Sequence, residues 1–142
     1  MRRLFDWIVA VVVATVVSTI VQTQFNIAAI TGLGVEVTVA ERLRMVLFDL
    51  HGFAPLWALV VAVALLFGFA AASLLAGRLP AHTVALYAVA GGMALLSALV
   101  ILDEIMPMNP VPGARTIPGV LLMAAGGVLA GALFARLGRD GE

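Results

Sequence analysis

Four apolar runs, each close to twenty residues long, constrain this chain more than any other feature. They cover residues 7–25, 54–77, 81–102 and 117–137, and the second contains no charge. A run of about 20 apolar residues crosses a hydrocarbon core of about 30 Å as a helix. Lipid offers backbone N–H and C=O groups no partner, so each run must satisfy its hydrogen bonds internally, as a helix. Only 11% of the 142 residues are charged and 63% are hydrophobic, against roughly a quarter charged in a soluble domain. The expected fold is therefore all-α: one integral membrane four-helix bundle over residues 1–142. Pro55, Pro80 and Pro118 stand at the starts of runs two to four, where a missing N–H costs nothing.

The arginines set an expected orientation. Arg2, Arg3, Arg78, Arg136 and Arg139 fall at one set of run ends, and Arg42, Arg44 and Arg115 at the other. The positive-inside rule then places both termini on the cytoplasmic side of a bacterial-type inner (plasma) membrane. The Met1-Arg2-Arg3 start has the outline of a signal peptide, but no small-x-small site follows, so the first run is read as a span. Zero net charge leaves no footprint for nucleic acid. The absence of cysteine excludes disulfides, thiolate catalysis and iron–sulfur clusters.

The segment between runs one and two is too long for a simple turn. Thr38 and Glu41 have capping-box spacing and predict a surface helix over about 39–51. On a helical wheel Leu43, Val46, Leu47 and Leu50 gather on one side, with Glu41, Arg42, Arg44, Asp49 and His51 on the other. That pattern suits a helix lying in the outer interface. The last outer loop carries Pro107, Pro110 and Pro112, which predicts a stiff, shaped connection.

The first run is unlike the others. Thr15, Ser18, Thr19, Gln22 and Asn26 follow i, i+3, i+4, i+7, i+11, with Thr23 beside them. They form one polar stripe, which must face other helices or a hydrated cleft because lipid penalises it. Two readings follow: interhelical hydrogen bonds that glue the bundle, or a polar cleft open to the outer side. Small residues elsewhere predict close helix packing: Gly127 and Gly131, Gly68 and Ala72, and the pairs Gly91-Gly92 and Gly126-Gly127.

Little else carries chemistry. His51 and His82 lie at opposite ends of the spans, too far apart for one haem. Asp49, His51, Asp103, Glu104 and Arg115 share the outer side, where they form either a binding or acid–base group or a solvated rim. Met106 and Met108 read as apolar filler. No metal or cofactor is assigned. These features favour a non-enzymatic accessory or structural subunit that contacts membrane lipids and either another membrane protein or further copies of itself. The alternatives are a binding or passage protein using the outward-open polar cleft, and a membrane enzyme using the outer carboxylate/His group.

Overall fold

The computed structural model describes residues 1–108 and 111–140. Its helices are α1 (Arg2–Gly32), α2 (Val39–Gly52), α3 (Ala54–Ala76), α4 (Thr83–Ile105) and α5 (Ile117–Arg139), with single 3₁₀ turns at Pro80–His82 and Pro112–Arg115. All but α2 are long and apolar enough to cross a membrane. The chain is thus the all-α four-helix bundle that its apolar runs predict. Pro110, the middle proline of the segment between α4 and α5, lies outside the described residues.

The four long helices run up, down, up and down, packed in the ring α1–α5–α4–α3. The seam between α1 and α3 is the loosest of the four, and that between α4 and α5 the closest. Glycine explains the close one. A methyl group on Gly91 would run into the Gly127 carbonyl, one on Gly127 into the Gly91 carbonyl, and one on Gly131 into the Tyr87 carbonyl. Gly91 and Gly127, one from each Gly-Gly pair, therefore face each other, and the Gly127/Gly131 motif is used within the bundle. Gly126, one residue round the helix, faces Ala14 and Val17 of α1. Gly68 of α3 seats Ala94 of α4. Without side chains in the way, backbones approach closely and gain dispersion contacts that the hydrophobic effect does not supply between helices in lipid.

Helix α1 extends well beyond its apolar run. Its 31 residues amount to about 46 Å, some 16 Å more than the hydrocarbon core. The turns beyond Phe25 give α2 something to lean on. Gly34, with φ of +84°, follows the end of α1; this left-handed conformation suits glycine and turns the chain back. The Thr38–Glu41 capping box then starts α2: the Thr38 N–H donates to Glu41 Oε2 at 2.8 Å, and the Glu41 N–H donates to Thr38 Oγ1 at 3.3 Å. Phe53 ends α2 and begins α3, so the two helices meet in a corner, with Pro55 in the first turn of α3.

Leucine at Gly127 is expected to lower bundle stability by about 3 kcal/mol or more, because a backbone carbonyl cannot move aside as a side-chain tip can. Alanine at Gly138, where nothing lies within 4 Å, should leave stability unchanged or slightly raised. Thermal unfolding of both variants in detergent checks the contrast.

Candidate functional site

The polar residues of α1 form a ridge that the other helices enclose. Ser18, Thr19 and Thr23 are fully buried, Thr15 and Gln22 nearly so, and Asn26 is half-buried. Two members bind across helices. Trp57 of α3 donates its indole N–H to Ser18 Oγ at 2.6 Å, and Ser18 Oγ–H in turn donates to the Ala14 carbonyl at 2.6 Å. Phe53 stacks on Trp57 with ring centroids 5.9 Å apart, which fixes the indole. Thr23 Oγ1 lies 2.6 Å from Asp49 Oδ2 and 2.9 Å from the Thr19 carbonyl. A hydroxyl has one proton to give, and the shorter bond to a carboxylate is the stronger, so Thr23 donates to Asp49.

Three further buried atoms on the ridge, Thr15 Oγ1, Thr19 Oγ1 and Gln22 Oε1, have no hydrogen-bond partner among the described residues. The two hydroxyls can rotate onto carbonyls of the preceding turn. Gln22 Oε1 only accepts, so it has no such internal solution. Above it sits the turn Pro112–Arg115: a side chain on Gly113 would press against Gln22 Cα and Met123 Sδ. Glycine at 113 thus lets the Pro112–Arg115 turn pack closely on the ridge.

The charged residues expected at the outer side do not assemble. Asp49 faces inward to Thr23, although the wheel puts it on the polar side of α2. Met45, Val46 and Leu50 flank it half-buried, while Leu43, Leu47 and Phe48 are exposed. The apolar stripe of α2 is therefore split between the bundle and its surroundings. Asn26 meets α2 beside a shallow hollow of about 420 Å³ shared with Arg44, Met45, Phe48 and Asp49. His51, Asp103, Glu104 and Arg115 are exposed, and Asp103 and Arg115 are each engaged in polar interactions. Among the described residues no three of His, Asp or Glu come together as a metal would need.

One residue outside these expectations stands out. Asp6, on the second turn of α1, is only 4% exposed. It lies at the opposite end of the bundle, in a cleft of about 460 Å³ with Arg3, Ser73, Tyr87, Phe134 and Arg139 among its lining. Its position next to Trp7 makes it look like an ordinary interface charge. The signal that identifies it is spacing: Asp6, Ala10, Ala14, Ser18 and Gln22 recur every fourth residue along one helix ridge. Beneath the cleft, Phe69, Tyr87 and Phe134 form a mutually packed aromatic trio with centroids 4.6–5.5 Å apart.

No family model, curated protein or solved structure matches this chain.

Ser18→Ala is expected to cost about 1–2 kcal/mol, since it strands the buried Trp57 N–H. Gln22→Leu should be neutral or stabilising, because it removes an acceptor that has no partner. Denaturant unfolding of the two variants separates these outcomes.

A second expectation concerns pH. The Thr38 backbone N–H, and then its hydroxyl, hold the exposed Glu41 carboxyl below the ordinary glutamate value. A group with a depressed folded value contributes stability above its unfolded value, and the contribution is lost as pH falls through the folded one. Amide exchange in the first turn of α2, corrected for its intrinsic rate, should therefore be slow at neutral pH. It should quicken as the pH falls below the ordinary glutamate value, while α3 stays protected.

Proposed function

We propose that this chain is a non-enzymatic accessory subunit of a bacterial-type inner membrane complex, with both termini cytoplasmic. The observation that carries the reading is a groove of about 850 Å³ on the outside of the bundle between α3 and α4. Its floor is small, with Gly68, Ala71, Ala90, Ala94 and Ala98, and its walls include Leu59, Val63, Phe67, Met93 and Ile101. Small residues beneath bulky flanks suit the close approach of another transmembrane helix. Ser97 is the one hydroxyl in the groove and offers that helix a hydrogen bond. The cluster of Arg2, Arg3, Arg78, Arg136 and Arg139 at one end supports the orientation.

The rival readings have less support. Passage through the bundle would have to cross a dry layer. From Asp6 to Thr15, about 13 Å along α1, the buried positions are Ala10, Val11 and Ala14. Opposite them lie buried Val61, Leu65, Phe69, Leu95 and Ala130. An outward-open cleft is disfavoured by the burial of Ser18, Thr19, Gln22 and Thr23 and by the turn resting on Gln22. Chemistry at the outer face would need the acids and His51 to converge, and Asp49 is instead directed to Thr23.

The chain has no cysteine, so a thiol introduced by Ser97→Cys is unique. In native membranes a short thiol-reactive crosslinker should join it to a partner, and should not do so from Leu122→Cys on the exposed face of α5. Ser97→Phe, which fills the groove, should abolish copurification of that partner while leaving thermal stability unchanged. Equal crosslinking from both positions, or copurification untouched by Ser97→Phe, would end this reading. An adduct of twice the chain mass would identify the partner as a second copy.

A further inference from the structure

The cleft at the Asp6 end plays no part in the proposed docking and has chemistry of its own. The Asp6 carboxyl is only 4% exposed, and the space it faces is the cleft itself. Among the described residues Asp6 makes no hydrogen bond or ion pair. Arg3 and Arg139 line the same cleft, but both are exposed at its mouth, and Arg3 is engaged elsewhere. A coordinated metal ion is poorly served, because no group of three acidic or histidine ligands forms around Asp6 among the described residues. An organic ammonium is better served: the Tyr87 and Phe134 rings line the cleft with Asp6, and aromatic faces attract such cations.

The mouth decides what else the ligand carries. A simple amine would have to pass two arginines of like charge. A molecule with an anionic group behind its ammonium meets attraction at both depths, and a guanidinium fork suits phosphate in particular. About 460 Å³ lies within the range of small-molecule pockets. We propose that this cleft binds a phosphate-bearing zwitterion, its ammonium seated on Asp6 against Tyr87 and its phosphate held at the mouth by Arg139. Phosphoethanolamine has this chemistry, either free in water or as the headgroup of a phospholipid.

The test uses the full chain. Delipidated protein in detergent is titrated calorimetrically with phosphoethanolamine. In parallel, protein from mixed phosphatidylethanolamine and phosphatidylglycerol vesicles is examined by native mass spectrometry. Heat from the free compound identifies an aqueous ligand, and selective retention of phosphatidylethanolamine identifies a headgroup; either supports the proposal. Asp6→Asn should weaken the interaction at least tenfold. Arg139→Gln should weaken phosphoethanolamine while sparing ethanolamine. Gly138→Leu provides a variant with little risk to folding, since nothing lies within 4 Å of that position, and it should block the cleft and abolish binding. Absence of both signals, or binding by Asp6→Asn or Gly138→Leu equal to the parent, overturns the proposal.

Discussion

Hydrocarbon cannot solvate the ridge that runs along α1, and the rest of the bundle is arranged around that constraint. Asp6, Thr15, Ser18, Thr19, Gln22 and Thr23 are all buried, so α1 must be surrounded. Surrounding a helix closely requires neighbours without bulk. Helix α5 meets this with Gly126 against α1 and Gly127 and Gly131 against α4. Because both glycine faces belong to one helix, α5 joins α1 to the α4 backbone, and α3 closes the ring through Trp57 and Gly68. Helices α3 and α4 are the less enclosed members, and the groove between them is left facing outward.

The two ends of the ridge differ in kind. At the α2 end the buried polar groups of the ridge are covered: Thr23 holds Asp49, and the Pro112–Arg115 turn rests on Gln22. At the terminal end Asp6 opens into a cleft floored by aromatic rings and rimmed by arginines. The apolar stretch between them keeps the ends separate. A carboxylate that stabilises a surface helix and one that faces a cavity are thus found on a single small bundle. Residue type alone does not tell them apart; depth and neighbours do.

Hydrogen bonding explains why the α1–α3 seam holds despite being the loosest of the four. Trp57 spans it by donating to Ser18, and Ser18 is in turn satisfied by the Ala14 carbonyl. A donor and an acceptor that would each be costly in lipid satisfy one another. Serine suits this position because its hydroxyl accepts and donates at once.

The sequence by itself determined the number of spans, the helical state of each, the surface helix with its cap, and the polar stripe of α1. These rest on local rules: apolar length against membrane thickness, backbone satisfaction in lipid, and side-chain periodicity. It also carried the small-residue motifs, but not which helices they join. Tertiary structure alone decided that Gly91 meets Gly127, that Asp49 faces Thr23 while Asp103 and Glu104 stay exposed, and that Asp6 lies at the base of a cleft. Those outcomes depend on how four nearly uniform apolar helices are ordered around a ring. Lipid-facing and helix-facing apolar residues look alike in sequence, because the solvent outside the bundle is as apolar as its interior.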